Sequence, residues 1–195
     1  MSSEYDPLFP QGRSDKEDFA PIRELFTAAS RPYLRSPWSW LAWALILPAA
    51  ALATTIAFRR FGPAGILFTW SGAILLGGAI EMTGIWRSGR TAGTAPLASW
   101  AFRAQGNLSL VALVLSVAAI WQDLPWALPG IWLLLLGHSF YILGGLSFEP
   151  FRLYGLIYQA GGIAALAYGQ RALPIFALVT LVGNLWMAWS VWRRV

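Results

Sequence analysis

Six apolar stretches, at roughly 38–58, 63–86, 98–121, 127–147, 151–168 and 172–192, follow one another along this chain with only short polar breaks between them. Each is close to the ~20 residues that a helix rising about 1.5 Å per residue needs to cross ~30 Å of hydrocarbon. Backbone polar groups in lipid must be satisfied within the protein, which leaves helices and closed barrels as the spanning structures. Stretches of this length predict an all-α polytopic integral membrane protein, with six transmembrane helices in one bundle. The breaks carry turn chemistry: Arg59-Arg60-Phe61-Gly62-Pro63, Gln122-Asp123-Leu124-Pro125 and Gly169-Gln170-Arg171. The link from Arg87 to Leu97 is longer and reads as a loop.

The positions of the cations give an expected orientation. With a cytoplasmic N-terminus, Arg13, Lys16, Arg23, Arg31, Arg35, Arg87, Arg90, Arg103, Arg152, Arg193 and Arg194 lie on the inner side, and only Arg59, Arg60 and Arg171 lie outside. That bias predicts both termini in the cytoplasm and a multi-pass protein of the cell inner (plasma) membrane. The net charge of +5 therefore describes topology. Basic residues scattered singly at helix ends form no face for nucleic acid, so no nucleic-acid partner is expected.

With 57% hydrophobic and 12% charged residues, one bundle accounts for the length of the chain. Residues 1–20, rich in acids, Ser and Pro, are expected to be a mobile cytoplasmic tail. Ile22, Leu25, Phe26 and Ala29 then repeat at helical spacing behind Pro21, which predicts a short interfacial amphipathic helix over 21–36. Residues 37–195 make the transmembrane domain. The first apolar stretch begins too late, behind too many acids, to be a secretory signal. Trp38, Trp40, Trp86, Trp100, Trp189 and Trp192 at inner ends, with Trp121 and Trp126 at outer ends, read as interfacial anchors.

Polar side chains within the apolar stretches are the candidate functional residues, because each is costly in lipid unless paired or wet. Glu81 and Arg103 fall at similar depth on the second and third stretches, and are expected to form an intramembrane ion pair. Asn107, His138, Gln159 and Asn184 fall near the middle of four different stretches. They are read either as an interhelical hydrogen-bond network or as a midplane polar site for a small hydrophobic molecule such as a lipid, quinone or pigment. Trp132, Phe140, Tyr141 and Tyr158 would be the aromatic walls of that site. Gly130, Gly137 and Gly144 recur every seven residues and predict a helix-packing face, or a surface for a cofactor ring.

His138 is the sole histidine. Its imidazole is chemically able to hold a haem or chlorophyll-type macrocycle, with Gly137 beside it leaving room for the ring; the alternative is a hydrogen-bonded core residue. The chain has no cysteine and no second histidine, hence no thiolate or two-histidine metal set. Thr69-Trp70-Ser71-Gly72 resembles the serine motif of the rhomboid intramembrane proteases over four residues, with Thr69 where that family has glycine. No paired catalytic carboxylates and no glycine-rich phosphate loop are present. The expected protein is non-catalytic: an accessory or scaffolding subunit of a larger complex, with the bilayer and other membrane proteins as partners. A carrier of small hydrophobic molecules is the alternative.

Overall fold

The computed structural model describes residues 37–88, 96–146 and 149–193, and the expected tail and amphipathic helix of residues 1–36 lie outside them. Among the described residues the chain is all helical. Its long helices are α1 (Pro37–Phe61), α2 (Pro63–Ser88), α3 (Pro96–Trp121), α4 (Leu128–Leu146), α5 (Pro150–Ala167) and α6 (Ala172–Trp192). Single 3-10 turns, Pro125–Ala127 and Gly169–Arg171, lead into α4 and α6. Proline opens α1, α2, α3 and α5, where its fixed φ suits the first turn and its missing N–H costs no helical bond.

The tight breaks close by helix-capping bonds. Gly62, at φ 61°, donates its N–H to Phe58 O at 2.8 Å and turns α1 into α2. After α3 the left-handed position is taken by Asp123 at φ 57°, with Asp123 N to Ile120 O at 3.1 Å and Leu124 N to Ala119 O at 2.8 Å. That is a Schellman pattern, in which a short polar side chain tolerates the conformation glycine usually supplies.

Four segments, Pro37–Phe61, Pro63–Thr83, Pro125–Gly144 and Gly169–Trp192, are long and apolar enough to cross a membrane, so the protein is membrane-embedded and helical. In α3 the apolar run among the described residues is Gly106–Trp121. The α5 helix belongs to neither group, for a packing reason. Phe151, Tyr154, Gly155, Tyr158, Gly161, Gly162 and Ala165 are all buried, so one face of it meets protein and can carry hydroxyls and glycines in place of lipid-soluble side chains.

The most extensive contact is between α4 and α5, followed by α1 with α6, α1 with α2 and α5 with α6. The α3 helix packs chiefly on α4, and α2 chiefly on α1, so these two helices flank a centre made of α1, α4, α5 and α6. The α4–α5 seam is an approach of backbones. A methyl group built on Gly137 would lie 2.7 Å from Gly155 O, and one on Gly155 would lie 2.5 Å from Gly137 O. One on Gly130 would meet Leu166 Cγ at 2.6 Å, one on Gly162 would meet Leu134 Cγ at 2.7 Å, and one on Gly144 would strike the Arg152 backbone. Two seven-residue glycine rows thus face each other in antiparallel register.

On the opposite side of α4 and α5 lies an aromatic cluster. Phe140 meets Tyr154 edge-on at 4.7 Å between ring centroids, and Trp40 of α1 sits 5.6 Å from Tyr154 and 5.7 Å from Phe151. Trp40 therefore departs from the expected interfacial belt. It packs into this cluster, and its indole N–H is buried without a hydrogen-bond partner among the described residues. Trp38, Trp121, Trp126, Trp189 and Trp192 are exposed.

The seam predicts a sharp contrast between glycines. Gly137→Val should cost about 3 kcal/mol or more, since the side chain meets backbone that cannot rotate away. Gly72→Ala, where an added methyl meets nothing within 4 Å, should change stability by no more than ~1 kcal/mol. Unfolding in mixed detergent, followed by tryptophan fluorescence, measures both.

Candidate functional site

The polar residues deepest in the protein form one closed network between α5 and α6. Tyr154 Oη donates to Asn184 Oδ1 at 2.8 Å, and Asn184 Nδ2 donates to Tyr158 Oη at 3.0 Å and to Thr180 O at 2.7 Å. The two tyrosine hydroxyl oxygens lie 2.7 Å apart. With Tyr158 donating to Tyr154, each hydroxyl donates once and both amide hydrogens of Asn184 are used. Tyr154, Tyr158, Thr180 and Asn184 are all fully buried. The tyrosines are four residues apart on α5 and share a face, and Gly183 beside Asn184 provides the space for both rings, 2.8 and 3.0 Å from where its Cβ would stand.

Other hydroxyls are satisfied along their own helices: Thr54 to Ala50 O, Thr69 to Gly65 O and Ser116 to Ala112 O, at 2.7, 2.8 and 2.7 Å. Ser116 Oγ also accepts from Trp132 Nε1 at 3.0 Å, the polar tie between α3 and α4.

The four midplane residues are not assembled into one site. Asn184 sits in the closed network, Gln159 is half-buried with its Cγ against Gly137, and Asn107 and His138 are exposed on α3 and α4. Of the expected aromatic walls, Tyr158 belongs to the network and Phe140 to the cluster beside it. Tyr141 points to the other side of the seam, where Arg152 lies over its ring at 5.2 Å and donates to its hydroxyl at 3.1 Å. The space expected beside His138 for a macrocycle is filled, because Gly137 is covered by the α5 backbone. An exposed imidazole could hold such a ring only outside the bundle.

Glu81 and Arg103 are on helices that find different packing partners. Glu81 is half-buried and accepts a hydrogen bond from Trp43 of α1, whose ring also lies over Gly77, while Arg103 is exposed on α3. No ion pair joins the two among the described residues. Ser71 and His138 are both exposed, on α2 and α4, which share no packing seam, so the four-residue motif around Ser71 gains no histidine. No group of three or more His, Asp or Glu able to hold a metal occurs among the described residues.

Open apolar grooves mark the surface of the helices. One runs between Ala49 and Ala53 of α1 and Thr69, Gly72 and Leu76 of α2, and another runs along Leu113, Val117 and Trp121 of α3. Neither presents convergent polar groups of the kind that orient a ligand.

Removing one member of the closed network should cost more than removing all three polar functions together. Asn184→Ala leaves two buried hydroxyls short of partners, with an expected loss of about 2 kcal/mol. Combining Tyr154→Phe, Tyr158→Phe and Asn184→Leu should recover part of that loss, and the same detergent unfolding assay reads the non-additivity. Comparison of the chain with protein families, with curated proteins and with solved structures finds no match for it.

Proposed function

We propose that this protein is a non-catalytic accessory or scaffolding subunit of a larger complex in the cell inner (plasma) membrane. One observation carries the reading. The buried Tyr154, Tyr158 and Asn184 satisfy one another, whereas Asn107 and His138, near the middle of α3 and α4, are presented outward. Lipid offers such groups no hydrogen bonds, and helices of other chains do. The large apolar faces left on α2 and α3, including Leu75 and Val114, suit contact with lipid and with neighbouring helices equally.

All six helices cross in this reading, with both termini cytoplasmic. The alternation of eleven inner and three outer cations supports it. Because the face of α5 that carries its tyrosines and glycines is buried against α4 and α6, its lower apolarity is no obstacle to crossing.

Purification of the native protein in mild detergent, with mass spectrometry and an absorption spectrum of the main peak, tests the function. Stoichiometric membrane-protein partners are expected. A particle with no other chain would overturn the subunit reading and turn attention to a hydrophobic small-molecule carrier. For topology, the cysteine-free chain allows single-cysteine labelling. Gln122→Cys should react with an impermeant maleimide on intact cells, and Val195→Cys only after permeabilisation.

A further inference from the structure

Glu81 and Arg103 carry opposite charges at one depth on the two helices that flank the centre. Glu81 lies seven residues before the end of α2 and Arg103 seven residues after the start of α3, so both stand about 10 Å from the end of the helix pair that residues 89–95 connect. Arg103 is exposed, and Glu81 is half-buried with the Trp43 indole as its donor. A carboxylate offers about four acceptor sites, so that bond leaves room for the fork of an arginine. Each charge is costly in lipid until it is paired.

Both charges head rows that look out of the bundle. On α3, Arg103, Asn107, Leu110, Val114 and Val117 follow the 4-3-4-3 spacing of a left-handed helix-pair seam, and all five are exposed. Ala112, Ser116 and Ala119 are buried on the opposite side of that helix. On α2, Leu67, Ser71, Ile74, Gly78 and Glu81 follow the same spacing. Leu67, Ser71 and Ile74 are exposed, and a methyl group built on Gly78 would meet nothing within 4 Å. The apolar members of these rows suit lipid as well as protein; the complementary charges select the partner.

We infer that α2 of one copy of this chain docks against α3 of a second copy, with Glu81 of the first paired to Arg103 of the second. The inference rests on the reading of all six helices as spans within a larger complex, and names one of the partners. Copies inserted in the same orientation bring α2 and α3 together antiparallel. That sets Glu81 opposite Arg103, Gly78 opposite Asn107 and Ile74 opposite Leu110, so the outward amide of Asn107 meets helix backbone in place of lipid. Within one chain the two helices pack on different neighbours, α2 on α1 and α3 on α4, which leaves the contact to another copy. It joins two unlike surfaces, so each copy gives its acid to one neighbour and its base to the next, and a closed ring pairs every charge.

The cysteine-free chain allows a test in which each copy carries one thiol. Differently tagged chains bearing Ile74→Cys and Leu110→Cys, co-expressed, should form a mixed disulfide in native membranes under mild oxidant. Glu81→Gln in the first chain, or Arg103→Gln in the second, should lower its yield about tenfold. Glu81→Arg in the first chain combined with Arg103→Glu in the second should restore it. The charges then match across copies and repel within each copy, so a pair inside one chain would gain nothing. Disulfides joining two Ile74→Cys chains, or two Leu110→Cys chains, in place of the mixed one overturn the inference. So does loss of both thiols in a double-cysteine chain diluted into excess cysteine-free chain, which marks a contact within one copy. A protein that never self-associates yet copurifies with other membrane chains overturns the contact and leaves the subunit reading standing. The mixed disulfide in a particle with no other chain supports the contact and overturns the subunit reading.

Discussion

The rest of this bundle depends on the contact of α4 with α5, where two glycine rows let backbones touch. In a bilayer the hydrophobic effect does not drive helices together, since lipid tails are as apolar as Leu. Dispersion at short range and polar bonds between helices take its place. Close approach at Gly137 and Gly155 sets the rotation of both helices about their axes. Everything on their two sides follows: Phe140, Tyr154 and Tyr158 turn to the interior, and Tyr141, His138 and Arg152 to the exterior. The interior side then recruits α6 through Asn184 and α1 through Trp40.

The closed ring of Tyr154, Tyr158 and Asn184 complements the seam. Packing of small residues tolerates sliding by a helical turn, whereas a hydrogen-bonded ring with every donor used has one register. Glycine contact brings α4 and α5 close, and the ring fixes α5 against α6. The network acts as a lock whose own polar atoms are used within it. Ligand-binding sites in helical bundles depend on polar atoms left over for the ligand, and here those atoms face each other.

Much of the helix pattern was legible in the chain because length and apolarity alone carry it. The seven-residue spacing of Gly130, Gly137 and Gly144 could be read directly; the glycines that answer it on α5 needed the fold. Directions were not legible. Spanning helices are apolar nearly all round, so no amphipathic pattern says which side of α4 carries His138 outward or which side of α3 carries Asn107. The residues at mid-span therefore looked like one level of a common site when only depth, and no rotation, could be compared. Tyr154 escaped notice because a tyrosine near a helix end resembles an interfacial anchor, and Trp40 was read as one for the same reason. The four-residue spacing of Tyr154 and Tyr158, together with an Asn in the next stretch, was the available signal. For Glu81 and Arg103, similarity of depth carried no information about distance, because α2 and α3 adjoin in sequence but pack on different neighbours.

The character of α5 has a consequence for how the protein is made. A helix bearing two tyrosine hydroxyls, a glutamine, three glycines and an arginine partitions poorly into lipid by itself. In the six-span reading its insertion is a joint event: α4, already apolar enough to enter, offers the glycine row on one side, and α6 must emerge from the ribosome before Asn184 can close the ring on the other. On that reading the last third of the chain enters the membrane as a three-helix unit, and a nascent chain halted before α6 would leave α5 waiting at the insertion machinery with its hydroxyls unsatisfied.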